Sequence, residues 1–308
     1  MEIIANTVNF HLDSKTAVAI GKFDGIHIGH RRLLEEILEK KKDGLSACVF
    51  TFDPPPAVLF GLSDGKELTT KEEKRALFKH MGVDLLVEFP MNRETAATLP
   101  ETFAKEILAE RMQVRFVAAG SDLSFGAKGA GNASMLKELG SRLGFRVNII
   151  EKVCLEGREI SSTYVRSCVE AGDMELAEKL LGMPYPVMGT VVKGKQLGRT
   201  LGFPTLNLLP PDSKLLPPNG VYYSQVRCGE KMYRAISNVG YKPTVMEEKI
   251  MGIESYLYDF DEDAYGREIE VYLLKFRRAE QRFENMEALA GQLKEDIAAG
   301  TLYNNGKN

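Results

Sequence analysis

"AVAIGKFDGIHIGHRRLLEEILEKKKDG", residues 17–44, decides how the first half of the chain is read. "AVAIGKF" has the apolar content of a buried strand. From Gly29 to about Lys42 the spacing predicts a helix, with Leu33, Leu34, Ile37 and Leu38 on one face and Gly44 placed to stop it. Lys40, Lys41 and Lys42 then close that helix, where cations favour the dipole. Between strand and helix stand His27 and His30, with glycines at 21, 25 and 29. Three readings of the histidines are open: packing or capping, a phosphate contact at a helix N-terminus, and a metal pair. The metal reading lacks a third and fourth ligand nearby.

The same alternation continues outward. "ACVFTF" (47–52), "DLLVEF" (84–89), "RFVAAG" (115–120) and a stretch from Arg146 to about Val153 read as strands. Thr70-x-x-Glu73 has the form of a capping box opening a helix to about Met81. Further helices are expected near Glu101–Met112 and Ser134–Leu143. Such βαβα order predicts a doubly wound parallel sheet, whose ligands sit at the carboxyl ends of the strands. The glycine-rich connections 21–29 and 120–131 both fall on that rim.

Two short helices are expected at 162–171 and 173–181, after which the pattern changes. Short strands separated by Gly, Pro, Asp and Asn turns follow: "VYYSQVRC", "YRAISNV", "IESYLYDF" and "EIEVYLLKF". A last helix, Asn285 to about Ala298, carries Met286, Leu289, Leu293 and Ile297 on one face. The chain therefore divides into an α/β domain, 1–183, and an all-β domain with a terminal helix, 184–308.

With 40 basic and 43 acidic residues among 308, the formal charge of -3 supplies no electrostatic case for nucleic acid or a membrane surface. Four scattered cysteines form no Cys-x-x-Cys pair, which argues against structural zinc and a disulfide framework. The N-terminus has no signal-peptide pattern, and no apolar run approaches the ~18 residues of a membrane span. A cytoplasmic protein is expected, and the sequence is silent on its oligomeric state.

"ISSTYVRS", residues 160–167, places Ser161, Ser162 and Thr163 at the start of a helix with Arg166 one turn on. The hydroxyls suit helix caps, while a guanidinium beside them matches phosphate. In "GRTLGFPTLNL" (198–208), Pro204 marks an edge or loop exit, and Thr205 and Asn207 face the same way in an extended segment. That pair either bonds to backbone in a turn or offers hard oxygen ligands of the sort that hold Mg²⁺ beside ATP phosphates.

Gly-x-Phe-Asp-Gly-x-His-x-Gly-His at 21–30, followed by Ser-Ser-Thr-x-Val-Arg at 161–166, resembles the bacterial FAD synthetase module of the nucleotidyltransferase superfamily. "GSDLSFGAKGAG" (120–131) is similar to its flavin-side loop, with Asp122 and Phe125 in matching places. The resemblance implies adenylyl transfer from ATP to FMN, giving FAD and pyrophosphate. His27 and His30, with Gly21, Phe23 and Gly29, would handle the triphosphate. Ser161, Ser162, Thr163 and Arg166 would neutralise its β,γ side, and Mg²⁺ would bridge the pyrophosphate oxygens. Asp24 either shapes the turn or contacts the nucleotide.

"GFPTLNL" in turn resembles the Pro-Thr-Ala-Asn motif of riboflavin kinases. "NGVYY", "SNVGYKPT", "IESYLYDFDEDAYG" and "RRAEQRF" follow in that family's order. The implied fold is a small Greek-key β-barrel, and the implied reaction is phosphorylation of riboflavin by ATP to FMN and ADP. By analogy Gly194, Gly198 and Arg199 belong to the loop over ATP, and Thr205 and Asn207 coordinate Mg²⁺. Glu254 is the base drawing the proton from the 5′-hydroxyl; an isolated strand Glu is otherwise ordinary surface charge. Asn238 and Arg278 lie on the flavin side. No tightly held organic cofactor is implied. Together the motifs, from about residue 16 to 298, resemble the bifunctional bacterial riboflavin kinase/FAD synthetase family.

Three positions depart from that pattern. Pro55 stands where a second histidine is common, Leu123 where an aromatic residue is common, and Leu206 where alanine is usual. The Pro55 departure favours, as a second reading, a chain in which only the kinase step is efficient. A third reading, a flavin-binding regulator, is disfavoured by the retained His27, His30, Thr205, Asn207 and Glu254.

Overall fold

The apolar runs of the first half lie side by side as parallel strands. They are β1 (Glu2–Ala5), β2 (Thr16–Ile20), β3 (Ser46–Asp53), β4 (Leu85–Pro90) and β5 (Val114–Gly120). After the small hairpin of β6 (Ser124–Phe125) and β7 (Gly131–Asn132) comes β8 (Arg146–Ile150), and the sheet order is β1-β4-β3-β2-β5-β8. The computed structural model describes residues 1–194, 198, 201–243 and 249–305.

Strand alternation sends the side chains of β2 to opposite faces, and both faces are covered. Val18 and Ile20 join Phe50, Phe89 and Val117 beneath helices α3 (Phe103–Arg111) and α4 (Ala133–Leu143). Ala17 and Ala19 face the other layer, where Leu33, Leu34 and Ile37 of α1 (Ile28–Glu39) pack with Phe78 of α2 (Lys71–His80). Helix α1 passes into a tight turn, Lys40–Asp43, that ends at Gly44 with φ of 76°. Of its lysines, Lys41 reaches Asp84 at 2.7 Å. Helix α2 begins directly after Thr70, and Glu73 is buried. The sheet is thus the doubly wound one expected, with one addition. The short edge strand β1 is only four residues long and is exposed or half-buried throughout, so it gives no patterned signal.

Contacts sort the chain into two units, Met1–Lys66 with Lys71–Ser161, and Glu67–Thr70 with Ser162–Asn308. From Ser162 the second unit continues with helices α5 (Ser162–Ala171) and α6 (Met174–Leu181), which pack on each other. Six antiparallel strands among the described residues then close a barrel in the order β11-β12-β15-β14-β13-β16. These are β11 (Tyr185–Val192), β12 (Thr205–Leu209), β13 (Gly220–Cys228), β14 (Lys231–Pro243), β15 (Lys249–Leu257) and β16 (Glu268–Ala279). The two-residue strands β9 (Cys154–Leu155) and β10 (Arg158–Glu159) form a separate ribbon in the first unit.

Inside the barrel, the buried hydroxyls of Ser224, Ser237 and Ser255 form a chain of two 2.7 Å hydrogen bonds, so each polar group removed from water keeps a partner. Segment Glu67–Thr70 joins this unit through buried Lys214, whose Nζ donates to the Leu68 carbonyl at 2.7 Å and lies 4.3 Å from the centre of the Tyr185 ring.

The terminal helix α7 (Met286–Asn305) departs from its expected docking face. Met286 is exposed, Leu289, Leu293 and Ile297 are half-buried, and the buried positions are Asp296 and Gly300. An ion pair, rather than an apolar stripe, seats this helix on the barrel. Asp296 meets Arg277 at 2.8 Å and Arg278 at 2.6 Å.

Candidate active sites

In the first unit the turn between β2 and α1 is built around three left-handed residues: Phe23 (φ 51°), Gly25 (φ 87°) and Ile26 (φ 42°). A non-glycine residue held there costs about 1–3 kcal/mol and needs compensation from its surroundings. Packing provides it, because Phe23 and Ile26 are fully buried and Phe23 meets the Phe78 ring edge-on at 5.5 Å. The turn thereby delivers His27 as the N-cap of α1, with its Nδ1 accepting from the His30 backbone N–H at 3.3 Å. An accepting Nδ1 places the proton of the neutral ring on Nε2, leaving an N–H for a ligand. Capping and ligand contact, alternatives on sequence alone, are therefore compatible in one imidazole.

His30 stacks on His27 with ring centres 3.8 Å apart, and its buried Nδ1 has no hydrogen-bond partner among the described residues. Gly29 permits this stack, since a Cβ at that position would stand 3.2 Å from the His27 ring. Burial pushes the His27 pKa down to about 4, against an upward pull from the charge of Asp122. Burial, and then the neighbouring His27, hold His30 well below the usual histidine value. Both rings are neutral in this site at pH 7. Gly21 begins the turn, with its N–H donating to the Phe50 carbonyl, and Asp24 is half-buried within it.

Asp122 extends from the end of β5 and lies 3.8 Å from Lys152, which also bonds Glu159 at 2.8 Å. With Ser121, Glu151 and Cys154 they line a polar cleft of about 390 Å³ at the carboxyl ends of β5 and β8. Phe125 is buried and packs against Phe103 at 5.7 Å, and Leu123 is packed against the same core. Pro55 precedes a short helical turn, Pro56–Leu59, on the rim after β3. Ser161 is the last residue of the first unit, while Ser162, Thr163 and Arg166 stand on the first turns of α5 in the second.

In the second unit, strand register assembles the polar cluster. Glu254 of β15 is opposite Asn207 of β12 on one side and Asn238 of β14 on the other. Directly paired residues share a face, so the three side chains form one row across the sheet. Their neighbours Ile253 and Ser255 point to the buried face. Thr205, two residues before Asn207, donates its hydroxyl to Glu254 at 2.5 Å. A Cβ at Gly194 would stand 2.5–2.8 Å from the Asn207 amide group, so glycine lets the chain lie directly on that side chain. The Gly198 carbonyl accepts from the Phe203 N–H at 2.7 Å, folding the loop back towards Thr205. Arg199 lies outside the described residues.

Sequence reasoning missed two partners here. Glu280 accepts from Asn238 at 3.1 Å and from Asn219 at 3.4 Å, and Asp296 accepts from Arg278. Glu280 lies within "RRAEQRF", a stretch singled out for its arginines, and Asp296 belongs to no motif that would single it out.

Comparison with known proteins gives this pair of sites a family. Residues 10–164 match the FAD synthetase family and residues 181–303 the riboflavin kinase family. The bifunctional riboflavin kinase/FMN adenylyltransferase of Escherichia coli K12 is 38% identical over 91% of this chain and 90% of its own length. The chain belongs to the bifunctional riboflavin kinase/FMN adenylyltransferase family. The family's Bacillus subtilis member is 34% identical over 94% of this chain and 93% of its own length. A crystal structure described as a macrolide-efflux protein from Streptococcus pneumoniae superposes with a TM-score of 0.84, at 31% identity over 97% of this chain and 98% of that one. Among the described residues of this family member no helix is long and apolar enough to cross a membrane.

Proposed function

We infer that the second unit's barrel phosphorylates riboflavin to FMN at the expense of ATP, and that the α/β sheet then transfers the adenylyl group of a second ATP to FMN, releasing pyrophosphate. The observation carrying the kinase half is the row Asn207–Glu254–Asn238 with the Thr205 hydroxyl at 2.5 Å from Glu254. An attacking alcohol gains from losing its proton as the P–O bond forms, and the Glu254 carboxylate receives it. Asn238 and Arg278 orient the flavin. Gly194 and Gly198, with Arg199, belong to the loop over the ATP phosphates.

The donor set fits a magnesium ion. Thr205 and Asn207 supply hard neutral oxygens, and the described residues hold no group of three His, Cys, Asp or Glu that would form an all-protein cage. Mg²⁺ is characteristically held by few protein groups together with substrate phosphates. When bound, it would neutralise charge on the transferring phosphoryl group. Thr205 and Asn207 would hold the ion, and Glu254, within hydrogen-bond reach of Thr205, would receive the proton of the substrate hydroxyl.

At the first site no base is required, because the FMN phosphate is itself the nucleophile. The protein's task is positioning and charge stabilisation. The His27 Nε2–H and the backbone N–H groups opening α1 donate to phosphate oxygens. Ser161, Ser162, Thr163 and Arg166 are assigned to ATP on their motif, as are Gly21, Phe23 and Asp24. Asp122 and Phe125 are assigned to the flavin side, with Phe125 acting from the core as support. We assign the functional domains as 1–183 and 184–308. The match to FAD synthetases ends at 164 and that to riboflavin kinases begins at 181. The four cysteines are scattered through the sequence without a Cys-x-x-Cys pair, which accords with a reducing, cytoplasmic setting.

Incubation with riboflavin, ATP and Mg²⁺, with the flavins separated over time, tests the whole reading. FMN followed by FAD is expected. FMN accumulating alone overturns the assignment of the first site and favours the kinase-only reading raised by Pro55. Absence of riboflavin turnover overturns both.

A further inference from the structure

Arg277 and Arg278 are consecutive residues of β16, and strand alternation should send them to opposite faces. They nevertheless converge on one carboxylate. The register explains how: Tyr222 of β13 faces Phe276 and Val221 faces Arg278, so Arg277 is an extra residue bulged out of the ladder. A bulge bends the strand and re-aims side chains, and bulges are over-represented beside active sites. The carboxylate is that of Asp296, 1% exposed on α7. It accepts from Arg278 Nε at 3.1 Å and Nη2 at 2.6 Å, from Arg277 Nε at 2.8 Å and from Gln292 at 3.3 Å.

We infer that Asp296 is a positioning residue for riboflavin phosphorylation, fixing the plane of the Arg278 guanidinium for the flavin; the inference rests on the flavin-side role proposed above for Arg278. A fork of Nε and Nη2 on two carboxylate oxygens sets both the place and the plane of a guanidinium. Arg278 Nη1 additionally donates to the Ala279 carbonyl at 3.0 Å. Of five N–H groups, this leaves one on each terminal nitrogen to reach acceptors of a ligand. Burial opposes ionisation of Asp296, but hydrogen bonds from Arg278 and Arg277 outweigh it and hold the carboxyl below its usual range. Two guanidiniums share one carboxylate, so one positive charge is left over in the cluster.

Arg277 has a different neighbourhood. It donates to the Tyr223 hydroxyl at 3.1 Å, and the Tyr223 ring stacks on Tyr303 of α7 at 4.2 Å. Arg277 thus ties the helix to the barrel, while Arg278 is the arm that the helix aims.

The test uses the full-length enzyme and follows Michaelis constants for riboflavin and ATP, with FMN-to-FAD conversion measured alongside. Asp296→Asn, which keeps size but removes the charge, is expected to raise the riboflavin KM about tenfold while the ATP KM and FAD formation stay within twofold. Arg278→Ala should raise the same constant, and the double variant should be no worse than Arg278→Ala alone. Asp296→Glu retains the buried charge and with it the fold, yet its longer arm displaces Arg278. It should also raise the riboflavin KM, which keeps the inference testable if Asp296→Asn fails to fold. Arg278→Ala without effect on riboflavin overturns the flavin role of Arg278 and the inference with it. An effect of Arg278→Ala without one of Asp296→Asn or Asp296→Glu in folded protein overturns the inference alone. So do effects of Asp296 and Arg278 that multiply, or a parallel rise in the ATP KM, either of which marks a purely structural role.

Discussion

Thr205 donates its hydroxyl to Glu254 at 2.5 Å across the β12–β15 pair. The residue proposed to hold Mg²⁺ and the residue proposed as base are thus hydrogen-bonded to each other. In the proposed reaction Thr205 would be a ligand of the ion and Glu254 the acceptor of the substrate hydroxyl's proton, so the two roles sit side by side.

Glu254→Gln keeps a hydrogen-bond partner for Thr205 but cannot accept the proton. FMN formation should fall by about a hundred- to ten-thousand-fold, the usual worth of a general base. Supplied FMN should still be converted to FAD at the normal rate. Separate assays of the two steps check this, and loss of both in a folded protein would refute the assignment of chemistry to separate sites.

Gly194→Ala places a methyl 2.5–2.8 Å from the Asn207 amide. Asn207 sits in a paired strand, so the loop or the side chain must move. Kinase activity should drop at least tenfold, with a higher Mg²⁺ requirement, if a misplaced ligand of about 1 Å is as costly as positioning arguments imply. A magnesium titration of initial rate measures it. An unchanged titration would remove Asn207 from the metal site.

Most of the fold was legible because the elements are strongly patterned. Ala17–Ile20, Val49–Phe50 and Leu85–Val87 are apolar on both strand faces, as a sheet covered by helices on two sides demands. Glu2–Ala5 escaped notice because an exposed edge needs no such pattern. The terminal helix was legible as a helix but not in its docking. Periodicity picks out Leu289, Leu293 and Ile297, and it has no means of picking Asp296, whose partners come together through a bulge at Arg277. The kinase row was half legible. The two-residue spacing of Thr205 and Asn207 implied a shared face, but the placement of Glu254 between Asn207 and Asn238 depends on the register of three strands. The capping role of His27 was one of several open readings, since a histidine N-cap is not the usual choice.

His30→Ala should produce the converse of the Glu254 variant. Removing the ring deletes the stacking partner of His27 and the group proposed to contact the triphosphate. Adenylyl transfer should fall by about a hundredfold, the order seen when one preorganised donor is lost. FMN should then accumulate from riboflavin at an unchanged rate. Chromatography of a single reaction mixture reads both numbers, and undiminished FAD synthesis would return His30 to a packing role.

The stacked histidines also predict an acid sensitivity with a definite sign. His27 titrates near 4 in the folded protein, against about 6.5 when unfolded. Above pH 6.5 neither state is protonated and the residue contributes no pH dependence. Between 6.5 and 4 the unfolded chain binds a proton that the folded chain refuses, so stability falls as pH falls. The loss amounts to about 3 kcal/mol by pH 4 for a buried ring shifted this far, and His30 adds in the same direction. His27→Asn keeps an N-cap acceptor for the His30 N–H while removing the titrating ring. Calorimetric melting at pH 7.5 and pH 5 should show the variant close to the parent at the higher pH. Its first unit should then lose fewer degrees on acidification. An equal loss in parent and variant would show that the His27 ring is protonated in the folded protein at pH 5, contrary to the buried, capped geometry.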